Sequence, residues 1–266
     1  MDVSNLTKKR IEELLREDRR LDKRKPLEYR EIFIETGISK NAEGSARAKI
    51  GDTEVLAGVK MGIMEPYTDS PDKGSLMVTV ELSPIASENF ESGPPTIRAI
   101  ELARIIDRGI RESGFIDLKK LCVKKGELVW NVFIDIYPLN DDGNLIDAAA
   151  LATIAALKEA VFPKLEDDKI SYGEFTTKKL PLGNMPITIT SYFVGDRFIV
   201  DPTTEEEESA KCRVSVAMTF DKEDYIHALQ KSGDAPLTEK QIDEALTIAS
   251  REGKKLHAKV LSQLKK

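Results

Sequence analysis

The chain opens on a helical period. Leu6, Ile11, Leu14, Leu15 and Leu21 recur at helix-compatible spacings among Lys, Arg and Glu, which predicts an amphipathic helix over residues 1–25. Ser4 suits the N-cap and Pro26 closes the segment. A helix with one narrow apolar stripe must dock on something, either its own domain or a partner. From Tyr29 the period shortens to two. Residues 32–35 and 44–50 read as strands, and Gly51-Asp52 turns the second into 53–60, a hairpin. Leu76 to Leu82 alternates again.

Pro94 and Pro95 are expected to open a helix that runs to about Ser113, where Gly114 stops it. Leu128 to Tyr137 is a dense apolar strand with the only tryptophan, Trp130. Asp141 to Asn144 turns the chain, and residues 148–160 form an Ala-rich helix. Residues 163–179 look like a polar connector. Residues 187–194 and 197–200 flank Gly195-Asp196, a second hairpin with the same turn dipeptide. A strand over 213–220, a short helix over 221–230 and a long helix over 237–264 complete the reading. Strands cluster before helices in both parts, so the fold class is α+β, built from duplicated strand-rich units with helices packed on the sheets. The expected organisation is an N-terminal helix (1–25), a first half (26–165) and a second half (166–266) with a C-terminal helix.

Composition narrows the function. Forty Lys plus Arg against 46 Asp plus Glu give a net charge of −6, the wrong sign for gripping nucleic acid by bulk charge. A 41% apolar and 32% charged chain is globular and not disordered. Cys122 and Cys212 form no CxxC pair, and two buried thiols in a reducing compartment are expected. His227 and His257 are too isolated for a metal site and read as solvated helix residues. No apolar run spans a bilayer, and residues 1–10 have no apolar signal core. A cytoplasmic protein without membrane contact is expected.

No P-loop, GxGxxG, GxSxG or HExxH motif occurs. Asp201 with Glu205 to Glu208 leaves two readings open, a Mg²⁺ site or a solvated acidic loop or helix start. The helix after Pro94 is more informative. At about 100° per residue, Arg104, Arg108 and Arg111 share an arc of about 60°, with Ala99, Ala103, Ile106 and Ile110 roughly opposite. A guanidinium row can track a sugar-phosphate backbone. It can equally be a solvated face, since Glu101–Arg104, Asp107–Arg111 and Arg108–Glu112 all have pairing spacings.

The order of several segments resembles the RNase PH family from about Arg30 to about Leu256. They are Gly44-Ser45-Ala46 with Gly51 to Ala57, Glu101 to Arg108, Asp135-Ile136-Tyr137 with Asp142-Gly143-Asn144, residues 186–190, and Asp201-Pro202-Thr203-Thr204-Glu205-Glu206-Glu207. The resemblance implies RNA degradation from the 3′ end by attack of phosphate. It also implies three parts of a catalytic apparatus, and each is altered here. The phosphate-holding turn would be Asn144-Leu145-Ile146-Asp147, where Leu145 and Ile146 offer no side-chain donors and Asp147 would repel phosphate. Of an aspartate pair six residues apart, Glu207 matches the first, while Arg213 stands at the second and cannot serve as acid or metal ligand. A loop that is basic in active subunits is acidic here, Glu65 to Asp72.

The pattern resembles the non-catalytic RNase PH-type ring subunits of the archaeal exosome. This implies no catalytic residue, no metal site and no cofactor in this chain. The implied partners are a catalytic RNase PH-type subunit in a hexameric ring of three heterodimers, a trimer of RNA-binding cap subunits, and single-stranded RNA. Arg104 and Arg108 match the family's phosphate-gripping arginines, and Arg111 joins them by helical geometry alone. Two rivals stand beside this expectation: an active RNase PH-like phosphorylase using Asp201 and Glu207 for metal, and a stand-alone RNA-binding module.

Overall fold

A computed structural model of the chain describes residues 3–264 except Lys222. Helix α1 (Asn5–Arg16) starts at Ser4, whose Oγ accepts from the Thr7 amide at 3.1 Å. It is shorter than the 1–25 pattern suggests. Asp18 and Lys23 adopt left-handed φ values of 61° and 71°, which no helix continues through. There follow β1 (Ile32–Thr36), β2 (Gly44–Ile50), β3 (Thr53–Met64), β4 (Ser75–Val80), α2 (Ile97–Glu112) and a 3-10 turn (Leu118–Leu121). Next come β5 (Cys122–Lys124), β6 (Leu128–Asn140), α3 (Leu145–Glu159), β7 (Val161–Glu166) and β8 (Lys169–Lys179). The last elements are β9 (Ile187–Val194), β10 (Arg197–Val200), α4 (Thr204–Ser209), β11 (Cys212–Phe220), β12 (Asp224–Ser232) and α5 (Glu239–Gln263).

The strands form two main sheets. The first has the order β1-β2-β3-β6-β4, with β5 attached to β6, and only the β4–β6 pair is parallel. The second is antiparallel, in the order β10-β9-β11-β12. Helix α3 packs on β2 and β3 of one sheet and β9 of the other, while α2 packs on β4 and on β11 and β12. Both helices therefore lie between the sheets. Every residue of α3 from Leu145 to Leu157 is buried, as expected of a helix apolar on all sides. Burying each of its large aliphatic side chains contributes about 1.5–3 kcal/mol. Its alanines let strands come close: a Cβ on Gly44 in β2 would sit 2.3 Å from the Ala156 carbonyl oxygen.

Ile11 and Leu15 of α1 pack on Tyr192, Val194 and Ile199. The N-terminal helix thus docks on its own second sheet. Among the described residues, no helix is long and apolar enough to cross a membrane.

Several local expectations need correction. The presumed connector over 163–179 is a hairpin, β7 with β8. Phe162 and Pro163 are buried in succession and the pairing shifts on both sides of Pro163, so no period of two is legible. The presumed helix over 221–230 is largely the edge strand β12; Lys222 lies outside the described residues. Its register slips where Ala217 pairs with Ala228 but Met218 with Ile226, and this bulge breaks the period of two. His227 sits at the bulge, half-buried, its Nε2 2.9 Å from Thr219 Oγ1, and is not a solvated helix residue. His257 does lie on a helix, but half-buried against the Phe220 ring. Helix α2 begins after both prolines, at a Thr96 N-cap. Cys212 is buried, Cys122 only half so, and both thiols are free.

Candidate nucleic-acid interface

Helix α2 buries Ala99, Leu102, Ile105, Ile106, Gly109 and Ile110. That leaves Arg104, Arg108 and Arg111 on its exposed side. The three do not behave alike. Arg111 donates to Asp107 through Nη2 at 2.6 Å and Nε at 3.1 Å, and also to the Leu76 carbonyl at 3.0 Å. It is tied down within the chain. No ion pair or hydrogen bond among the described residues engages Arg104 or Arg108. Two of the pairings that the sequence allows are therefore unmade, Glu101–Arg104 and Arg108–Glu112. Glu101 instead accepts from Arg213 Nη2 on β11 at 2.6 Å. A groove of about 370 Å³ lies beside Arg104, walled by Leu76, Val78, Ala99, Ile100 and Ala103.

The stretch expected to be a phosphate turn is not an open turn. Gly143 and Asn144 take left-handed φ values of 83° and 57°, and α3 starts at Leu145. A side chain on Gly143 would sit 2.5 Å from the Pro202 carbonyl oxygen, so only glycine fits. Leu145 and Ile146 are buried. Asp147 is also fully buried. Its Oδ2 accepts from the Tyr29 hydroxyl at 2.8 Å and from the Thr190 amide at 3.3 Å. It faces the core, so its expected role as an exposed charge repelling phosphate is corrected: burial, outweighing those hydrogen bonds, pushes its pKa up to about 7.

That shift has a sign for stability. The unfolded carboxyl ionises near pH 3.8 and the folded one near 7. Between those values the folded state holds the extra proton, so this group makes stability fall as pH rises from about 4 to about 7. Asp147→Asn is expected to flatten the fall, read as urea midpoints across that range. An unchanged slope would show that Asp147 does not cause it.

The acidic cluster splits into different roles. Asp201 is fully buried on a left-handed backbone. Its Oδ1 accepts from Arg30 Nη2 at 2.8 Å and Asn144 Nδ2 at 3.0 Å. Its Oδ2 accepts from Arg24 Nη1 at 2.9 Å and from the Arg30 amide at 2.8 Å. Glu206 is buried against Arg20, whose Nε donates to Oε1 at 2.9 Å. Glu207 accepts from the Asn144 amide at 2.9 Å, with Arg98 3.8 Å away. The metal and solvated-loop readings are both corrected for Asp201 and Glu206. Both oxygens of Asp201 are filled by cationic or amide donors, which leaves no lone pairs aimed at an ion. These contacts strap residues 20–30 onto β10, α4 and the 142–144 turn.

Sequence reasoning missed the roles of Arg20 and Arg24, which fall among the charged residues of the expected 1–25 helix, and of Arg30, which follows it. It also missed Arg98, which pairs with Asp141 at 3.0 Å and lies over the Phe90 ring. Nothing local in the sequence signals a carboxylate about 180 residues away.

Two family models match the chain: 3′ exoribonuclease family, domain 1, over residues 28–163, and domain 2 over residues 184–252. The exosome complex component Rrp42 of Methanocella arvoryzae is 45% identical, covering 97% of this chain and 96% of its own length. That of Archaeoglobus fulgidus is 46% identical, covering 92% of each chain. Among solved structures, a chain of the Archaeoglobus fulgidus exosome with RNA bound to the active site superposes with a TM-score of 0.87 at 42% identity, covering 96% of this chain and 98% of that one. A chain of an archaeal exosome core gives 0.83 at 39% identity, covering 96% of each. The matched spans, the shared fold and the identity over nearly the whole length place the chain in the 3′ exoribonuclease, or RNase PH, family.

Proposed function

We propose that this chain is a non-catalytic ring subunit of an archaeal exosome, a complex that shortens RNA from its 3′ end by phosphorolysis. One observation carries the reading. Two unengaged arginines one helical turn apart are retained, while the positions that would hold phosphate and acid–base chemistry are filled by other side chains. Arg104 and Arg108 would each take a backbone phosphate of single-stranded RNA, and the apolar groove beside Arg104 offers a surface for a base. The chain would form a hexameric ring of three heterodimers with a catalytic RNase PH-type subunit, under a trimer of RNA-binding caps. It would organise as the α1 arm (residues 1–25) and two RNase PH-like halves (26–165 and 166–266). It would work in the cytoplasm, without metal or cofactor of its own.

The relatives named as exosome components support this reading, as does the likeness to a chain of an exosome with RNA bound to its active site. Independent phosphorylase activity fits less well. Asp201 is held by arginines, and Arg213 places a fixed cation where an acid would be needed. Stand-alone RNA binding fits less well with a net charge of −6.

Reconstitution with a catalytic RNase PH-type partner tests the proposal. Size exclusion should show a hexamer-sized species only when both chains are present. The ring carrying Glu207→Gln should degrade poly(A) as fast as the unmodified ring. Loss of activity on that single change would make Glu207 catalytic and overturn the reading.

A further inference from the structure

Arg104 has an acidic neighbour on each side along α2. With Arg104 at 0°, Glu101 lies at about +60°, beside Arg108 at about +40°, and Asp107 at about −60°. Both acids are three residues from Arg104, the spacing at which carboxylate and guanidinium close on each other. An arginine so neutralised would have to break an ion pair before meeting a phosphate. Among the described residues neither acid forms an ion pair or hydrogen bond with it. Asp107 accepts from Arg111 Nη2 and Nε. Glu101 accepts from Arg213 Nη2 at 2.6 Å, both side chains being only about a fifth exposed, at 23% and 21%.

Arg213 is well placed for this. It lies on β11, paired with Tyr192 of β9 on one side and Ser232 of β12 on the other. A strand held on both sides fixes where its guanidinium reaches. An acid at 213 would do the reverse and drive Glu101 back toward Arg104.

We propose that Arg213 and Arg111 are positioning residues for RNA binding: they draw Glu101 and Asp107 away from Arg104, so that its charge and that of Arg108 remain free for phosphate. Arg111 then serves the row without belonging to it. The proposal rests on the reading of Arg104 and Arg108 as RNA contacts. Arg213 bears on it most directly, because it comes from a different element and can be changed without altering α2.

The test uses the full chain assembled with its catalytic partner and a fluorescein-labelled oligoadenylate, with affinity measured by anisotropy across a salt series. Arg213→Met should weaken binding about threefold to tenfold, since Glu101 would then neutralise one contact. Adding Glu101→Gln to that variant should restore affinity to within about twofold of the unmodified ring, together with its salt slope. A merely structural role for Arg213 would not be rescued by removing the acid. Unchanged affinity in Arg213→Met, or no rescue in the double variant, overturns the proposal. Should Arg213→Met fail to assemble, the charge swap Glu101→Arg with Arg213→Glu keeps the pair. It should bind RNA at least as tightly as the unmodified ring, and weaker binding overturns the proposal. Arg104→Ala with Arg108→Ala is the control. If it leaves affinity unchanged, the reading of the row itself fails. If it weakens binding while Arg213→Met does not, only the positioning role fails.

Discussion

Replacing Arg104 and Arg108 together with alanine is expected to weaken RNA binding by the assembled ring about a hundredfold or more at ~0.1 M salt, since each charge-assisted hydrogen bond contributes about 1.5–3 kcal/mol. Salt dependence gives a sharper signature. A single-stranded phosphate contact contributes about 0.7 to the slope of log K against log salt, so two lost contacts should lower it by about 1.4. Ring assembly should survive, because neither side chain holds another part of this chain. Changing Arg111 alone should cost less than changing Arg104, because its guanidinium is already spent on Asp107 and the Leu76 carbonyl. If the double variant fails to assemble while RNA affinity per ring stays constant, the two arginines are structural and their RNA role is lost.

Glu206→Ala is expected to produce the largest loss of stability. Arg20 and Glu206 are both fully buried. Arg20 also donates to the Val200 and Asp201 carbonyls at 2.9 and 2.7 Å, so it cannot swing out to water without breaking them. Removing one partner of a buried pair leaves an uncompensated charge, at a cost of about 3–5 kcal/mol. For a chain of this size that corresponds to a fall of about 6–20 °C in melting temperature. Glu17→Ala is the matched control. It breaks an ion pair with Arg19 whose side chains are 57% and 63% exposed, and the melting temperature should not move. Equal effects of the two would show that the strap over β10 and α4 does not stabilise the fold.

The strap also marks the limit of what the sequence carries. Hairpins at Gly51-Asp52 and Gly195-Asp196 are legible because two residues fix a turn. Helix α2 is legible because its apolar face repeats over sixteen residues. The arginine row follows from the same period. Which of its members stay free does not. Glu101 has Arg104 within local pairing distance, yet it bonds an arginine 112 positions away. Local spacing lists the possible partners, and tertiary structure chooses among them. Arg24 and Arg30 meet Asp201 across 177 and 171 positions, and no window of sequence contains both ends. Strand β12 hides for a different reason, since a single bulge at His227 breaks the alternation that identifies a strand.

The pH behaviour of Asp147 connects to the same region. The carboxyl, with a pKa near 7, is sunk in the first turn of α3 between Tyr29 and β9. Leu145 and Ile146 are apolar and buried and Asp147 faces the core, so their side chains offer phosphate no donors, while Arg213 supplies no acid.

The most direct test of the central claim is phosphate-dependent release of nucleoside diphosphate from poly(A), measured for the purified chain alone and for the ring assembled with its catalytic partner. The expected result is no release by the isolated chain and rapid release by the ring. Sustained phosphate-dependent release by the isolated chain, abolished by Glu207→Gln, would contradict it.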